Sequence, residues 1–183
     1  MLVNLNEILF DAQKNKYAVG LFNTTDSDAI AAAIAAAEEL KSPIIIGTAE
    51  VLLQYGELQL IGPSMINMAK NASVPVAVHY DHGLTFERCM EALKIGFTSV
   101  MYDCSTDSYN DNVKKVKEMS DIAHSYGATI EGELGHVGDN VDSMEGNSHS
   151  DDPSKFYTDP LKAKDFVEKT GFPPIWLKLI LQK

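Results

Sequence analysis

Short apolar runs alternate with longer amphipathic ones along the whole chain, and this alternation most constrains what it can fold into. The strand-like runs are Tyr17-Ala-Val-Gly-Leu-Phe-Asn23, Pro43-Ile-Ile-Ile-Gly-Thr48, Val74-Pro-Val-Ala-Val-His79, Thr98-Ser-Val-Met-Tyr-Asp103 and Thr129-Ile-Glu-Gly-Glu-Leu134. The first four are nearly continuous in apolar residues, as strands covered on both faces are. Helical patterns lie between them, at Asp28 to Leu40, Gly62 to Asn71, Phe86 to Ile95 and Asp111 to Tyr126. Thr85 is placed to cap the third, and Gly96 and Gly127 sit where two helices stop. Strand starts near 17, 43, 74, 98 and 128 recur at the length of a βα unit. Repeated right-handed βα units give a doubly wound sheet or a (β/α)8 barrel. Phe22-Asn-Thr-Thr-Asp26 offers no G-x-G-x-x-G turn after the first strand. Polar residues instead close strand after strand: Asn23, Thr48, Asp81 with His82, Asp103, and Glu131 with Glu133. Such a ring is what the C-terminal face of a barrel presents.

The 183 residues suffice for one domain with a real core. With 26 acidic against 15 basic side chains the net charge is -11, which argues against a nucleic-acid-binding surface. Two cysteines, Cys89 and Cys104, give no disulfide scaffold and fit a reducing cytoplasm. The start, Met1-Leu-Val-Asn-Leu-Asn-Glu7, lacks the basic and apolar regions of a signal peptide, and no stretch has the ~20 apolar residues of a membrane span. The alanine-rich stretch Ala29 to Ala37 reads as a helix packed closely on the sheet. Asn147 to Asp152 reads as a surface loop before a helix over Asp159 to Thr170.

His79-Tyr-Asp-His82 is the strongest local signal for chemistry. On a strand His79 and Asp81 share a face, with His82 following at the mouth. An imidazole there can bind a divalent cation while a carboxylate beside it moves protons; alternatively, His79 and Asp81 satisfy one another structurally. Glu131-Gly-Glu133 points two carboxylates to one side of a strand, where a cation or a shared proton relieves their repulsion. Metal binding meets that need, and so does an acid/base pair such as a glycosidase employs. Gly135 and Gly138 allow the following loop to turn tightly. Asp103 ends another apolar strand, where a turn role and a functional role are both open. Cys89 and Cys104 read as buried inert thiols, His124 as structural or solvated, and Lys114, Lys115 and Lys117 as a solvated helix face. His136 and His149 follow Glu133 without ligand spacing.

In this order, the motifs resemble the zinc-dependent class II ketose-bisphosphate aldolases, which include fructose- and tagatose-bisphosphate aldolases. The resemblance covers about residues 1–171. It rests on Tyr17 to Asn23, Val74 to Gly83, Gly96 to Asp103, Ile130 to Gly138 and Tyr157-Thr-Asp-Pro160, with the His-x-Asp-His-Gly and Glu-x-Glu-Leu-Gly blocks specific in combination. It implies a TIM-barrel fold, of which this chain carries the first five βα units. His82 is then a ligand of catalytic zinc, and Asp81 transfers the proton of the substrate's C4 hydroxyl. Asp103 and Glu133 match carboxylates of a second metal position, which a further divalent or a monovalent cation can take. Asn23 and Ser105 match positions near the substrate. The implied reaction is reversible cleavage of a ketose bisphosphate to dihydroxyacetone phosphate and an aldose phosphate, with zinc as Lewis acid on the carbonyl. The implied partners are a sugar phosphate and a second copy of the chain, as a dimer.

Two departures qualify that expectation. Where the family's loop continues Gly-Gly-x-Glu-Asp, this chain reads Gly138-Asp-Asn-Val-Asp-Ser-Met-Glu145, so the loop's acidic group has no assigned counterpart, Asp142 and Glu145 included. After Thr170-Gly171 the family continues into further strands carrying two more zinc-ligand histidines, whereas this chain reads Phe172-Pro-Pro-Ile-Trp-Leu-Lys-Leu-Ile-Leu-Gln-Lys183. The pattern divides it into a family portion, 1–171, and a divergent tail, 172–183, as a truncation or frame change leaves. A barrel takes ~250 residues, so this reading expects an incomplete barrel with exposed strand edges and little aldolase activity from the chain alone. Two alternatives stand beside it: a non-catalytic remnant that dimerises through its open edge, and a metal-independent barrel hydrolase using Glu131 and Glu133.

Overall fold

The computed structural model describes residues 1–135 and 158–171, together with the backbone of 177–179. The elements run β1 (Leu2–Val3), α1 (Leu5–Asn15), β2 (Leu21–Asn23), α2 (Ser27–Leu40), β3 (Ile44–Ala49), α3 (Leu58–Asn71), β4 (Val76–Gly83), α4 (Phe86–Ile95), β5 (Ser99–Tyr102), α5 (Tyr109–Ser125), β6 (Thr129–Leu134), α6 (Pro160–Thr170) and β7 (Leu177–Leu179), with a single 3-10 turn at Glu50–Leu52. Strands β2 to β7 are all parallel and lie in sequence order, each beside the next. A doubly wound sheet reverses its strand order at a switch point. This order does not reverse, so the architecture is an arc of a barrel.

The short β1 pairs with the first residues of β4, Leu2 with Val76 and Val3 with Ala77. The Met1 ammonium group donates to the Ala72 and Val74 carbonyls, fastening the N-terminus beside the end of α3. Neither β1 nor α1 belongs to the expected set of elements. The signal for α1 is local: Asn4 accepts from the Glu7 N–H while the Glu7 carboxylate accepts from the Asn4 N–H, a reciprocal cap. Helix α3 begins at Leu58, four residues before the expected Gly62, and carries Pro63 inside it. Thr85 caps α4 as expected, and Gly96 and Gly127 take left-handed conformations at helix ends. Cys89 and Cys104 are free and buried, and His124 lies exposed on α5.

Strand register assigns the two faces. Ile46 lies beside Val78, and Tyr80, Val100 and Ile130 form one row. All five are buried in the main core, on the side covered by α2 to α5. The Ala-rich α2 sends Ile30, Ile34 and Ala37 into that core. The opposite face carries Asn23, Gly47, His79, Ser99, Thr129 and, further along, Asp81 and Glu131. Of its polar residues, Asn23 and Asp81 lie toward the C-terminal ends of their strands, whereas Ser99 and Thr129 begin β5 and β6.

One expectation about the edges needs correction. The first expected strand is not covered on both faces: β2 is only three residues long, and Phe22 is 52% exposed. Among the described residues β2 pairs with β3 alone, so its second edge is open. The stretch expected as a divergent tail contributes β7, whose backbone pairs with Gly132 to Leu134. Asp142, Glu145, His136, His149 and the 147–152 loop fall outside the described residues. Among those described, no helix is long and apolar enough to cross a membrane.

Candidate metal and acid–base site

Strict alternation along β4 would put Asp81 and His82 on opposite faces. The strand does not alternate there. Tyr80 lies beside Val100 and Gly83 beside Tyr102, so three steps along β4 match two along β5. The extra residue makes a bulge, and His82 takes up the left-handed conformation it requires, with φ +45°. That backbone costs a non-glycine residue about 1–2 kcal/mol. Gly83 makes the bulge possible, because a Cβ there would stand 2.5 Å from Cys89 Sγ and 2.9 Å from the Met101 carbonyl oxygen. Glu50 holds the segment beyond it: its carboxylate accepts from the Leu84 N–H at 2.7 Å and from the Tyr80 hydroxyl at 3.3 Å.

The bulge turns His82 toward β5, where Nδ1 lies 2.7 Å from Asp103 Oδ2. In the neutral imidazole, Nδ1 is then the donor and Nε2 carries the lone pair a cation takes. One ligand atom from each of His82, Asp103 and Glu133 lies within 4.8 Å of the others. Glu133 comes from β6 and is only 3% exposed. Asp103 is fixed from its other oxygen, which accepts from the Ser105 N–H at 3.0 Å and the Ser105 hydroxyl at 2.7 Å. Burial pushes the Asp103 carboxyl up, but the donors His82 and Ser105 outweigh it and hold the group well below the usual carboxylate range. A nitrogen and two carboxylates in one small volume suit zinc or another divalent cation, so the residues fit a metal.

Asp81 stands beside this cluster on a separate set of contacts. Asn23 Nδ2 donates to its Oδ2 at 2.7 Å. The amide reaches across because residue 47 is glycine: a Cβ there would come within 2.9 Å of Asn23 Oδ1 and 2.7 Å of the His79 carbonyl. Burial raises the Asp81 carboxyl, and the His79 imidazole, the Asn23 amide and His82 more than reverse this, bringing it to about 2. Asp81 is therefore an anion at neutral pH, able to accept a proton. The alternative in which His79 and Asp81 satisfy each other corresponds to an electrostatic contact and not a hydrogen bond: His79 Nδ1 bonds to the Ser99 hydroxyl at 2.8 Å, and Nε2 lies 3.8 Å from Asp81 Oδ1.

The structure brings His82, Asp103 and Glu133 together, with Ser105 bound to Asp103, and places Asn23 on Asp81. Glu131 and Glu133 share a strand face but join different groups: Glu131 faces His79, with 3.6 Å from Oε2 to Nε2, while Glu133 lies with His82 and Asp103. Sequence reasoning missed Ser99, Gly47, Glu50 and Asn112. Ser99 had a signal, a hydroxyl in an otherwise apolar run. Asn112 had none, since its amide crosses from α5 to donate to the Glu133 carbonyl at 3.0 Å.

Comparison with known proteins follows the same line. A profile described as "Fructose-bisphosphate aldolase class-II" matches residues 3–176. The fructose-bisphosphate aldolase of Geobacillus stearothermophilus is 39% identical over 177 residues, covering 93% of this chain and 58% of the relative. That of Thermus caldophilus is 40% identical over 171 residues, covering 93% and 54%. The crystal structure of the YdjI aldolase from Escherichia coli K12 superposes with a TM-score of 0.80 at 33% identity, over 93% of this chain and 58% of that one. This chain thus spans somewhat more than half the length of the relatives it matches.

Proposed function

Because the chain belongs to the class-II fructose-bisphosphate aldolase family, we propose that its site serves the reversible, zinc-dependent aldol cleavage of a ketose 1,6-bisphosphate to dihydroxyacetone phosphate and an aldose phosphate. The observation that carries this reading is the convergence of His82, Asp103 and Glu133 beside an ionised Asp81 at the C-terminal ends of parallel strands. His82 is the nitrogen ligand of the zinc, and Asp103 and Glu133 are the carboxylates of a second cation position beside it. Zinc, when bound, supplies Lewis-acid polarisation of the substrate carbonyl.

Asp81 takes the proton from the C4 hydroxyl during cleavage and returns it during condensation. Asn23 orients Asp81 and stands where it can also meet the substrate. Ser105, held by Asp103, lies at the same rim. The substrate class is a phosphorylated sugar. Residues 1–171 are the family portion of the barrel and 172–183 the divergent tail. The edge of β2 that no strand among the described residues pairs supports self-association as a dimer, and two free buried thiols support a reducing cytoplasmic setting.

Calorimetric titration with zinc, followed by a cleavage assay on fructose 1,6-bisphosphate with and without chelator, tests the reading. Zinc uptake that His82→Ala and Asp103→Asn each weaken is the expected result. Uptake unaffected by both substitutions, or no uptake at all, overturns it.

A further inference from the structure

His79 is the most enclosed charged or ionisable side chain of the site, 1% exposed on the inner face of β4. Its Nδ1 pairs with Ser99 Oγ at 2.8 Å. Its Nε2 is buried without a hydrogen-bond partner, yet it faces two carboxylate oxygens, Glu131 Oε2 at 3.6 Å and Asp81 Oδ1 at 3.8 Å. Those separations are too long for hydrogen bonds and short enough for strong electrostatic contact in a buried site. A lone pair on Nε2 would be repelled by both carboxylates, whereas an N–H is attracted by both. The proton therefore belongs on Nε2. In the neutral ring Nδ1 is then the acceptor, and the Ser99 hydroxyl must donate to it.

We propose that His79 is a positioning residue: its Nε2–H stands between the Asp81 and Glu131 carboxylates and keeps Asp81 on its hydrogen bond to Asn23, while Ser99 fixes the ring that carries this proton. Without that N–H two like charges would face each other across the pocket, and Asp81 would swing away from Asn23. This role rests on the reading of Asp81 as the proton-transfer group. It adds a residue outside the set assigned to the cation and the sugar.

Long-range proton–nitrogen correlation spectra of histidine-labelled protein near neutral pH show which ring nitrogens carry protons, with the His79 signals identified by their loss in His79→Gln. The expected result is a proton on Nε2; a ring protonated on Nδ1 alone overturns the proposal. This measurement uses the unaltered chain and decides even where a variant does not fold. The second readout is the Asn23 side-chain amide resonance, shifted by its bond to Asp81, with Asp81→Ala as the unbonded reference. His79→Gln restores an N–H near the Nε2 position and keeps the Asn23 resonance in place. His79→Asn reaches only the Nδ1 position and moves the resonance most of the way to the reference. Equal behaviour of the two variants means a packing role alone and overturns the proposal. Neither readout needs zinc or turnover, so failure here leaves the zinc titration standing, and failure of zinc binding leaves these signals intact.

Discussion

His82 on β4 and Asp103, the residue that follows β5, stand with Nδ1 and Oδ2 2.7 Å apart, a contact that exists only because β4 carries one residue more than β5 between Tyr80 and Gly83. The bulge lets two consecutive residues, Asp81 and His82, serve one pocket.

Asp103 acts on the cation directly or by orienting the His82 ring, and either route weakens when its charge is removed. Asp103→Asn is expected to lower zinc affinity by roughly 10- to 100-fold, and His82→Ala by more. Titration against a competing chelator measures both. Wild-type affinity in Asp103→Asn would show that the 2.7 Å contact does not support a metal.

Gly47→Ala inserts a methyl group 2.7 Å from the His79 carbonyl oxygen and 2.9 Å from Asn23 Oδ1. Backbone cannot yield as a flexible side chain does, so the variant is expected to lose about 1–3 kcal/mol of stability. Urea denaturation reads that loss. The Asn23 amide is also expected to leave Asp81, seen as a move of its side-chain resonance. An unchanged midpoint together with an unmoved resonance contradicts the packing described.

Glu50→Ala removes the acceptor of the Leu84 N–H, the Thr85 N–H and the Tyr80 hydroxyl. Loss of hydrogen bonds to a charged acceptor at a partly buried site is expected to cost about 1–3 kcal/mol. Because Leu84 follows the bulge directly, zinc affinity is expected to fall as well. A variant destabilised without any change in zinc affinity would separate Glu50 from the bulge.

The Cys89 thiol lies in the core, and burial first, then the Glu50 charge and Cys104, push it up from the ordinary thiol range. Burial and Glu50 raise the Tyr80 hydroxyl in the same sense. A raised acid pKa means that the folded state keeps a proton the unfolded chain releases. Its stabilising contribution is complete below about pH 8.5, the unfolded thiol's value, and declines as pH climbs above that. Denaturation midpoints are therefore expected to drop between pH 8 and roughly pH 10, with Cys89→Ala showing a shallower drop and Tyr80 supplying part of what remains. Thiol reagents at pH 8 should label Cys89 only once the chain is unfolded. Rapid labelling of the native protein would contradict its burial.

Much of this site was legible before any coordinates. The His79-Tyr-Asp-His82 and Glu131-Gly-Glu133 blocks each end an apolar run with charge, and only a task at the strand mouth makes such placement affordable. Thr85, Gly96 and Gly127 mark helix ends through chemistry confined to a few neighbouring residues, and they hold in the structure. Asn4 and Glu7 carried an equally local signal for α1. The exposure of β2 was not legible, because the apolar run from Tyr17 to Phe22 does not reveal whether a neighbouring strand covers it.

Period and spacing by themselves determined a chain of parallel βα units and the set of residues at their C-terminal ends, because burial of alternating faces and helix capping act over short stretches of chain. Tertiary structure alone decided which of those residues work together. Strand order ruled out the doubly wound alternative; the bulge turned His82 onto the face of Asp81; register gave Glu133 to His82 and Asp103, and Glu131 to His79. These outcomes depend on pairings between residues twenty or more positions apart, where one extra residue in one strand moves a side chain from the core to the pocket.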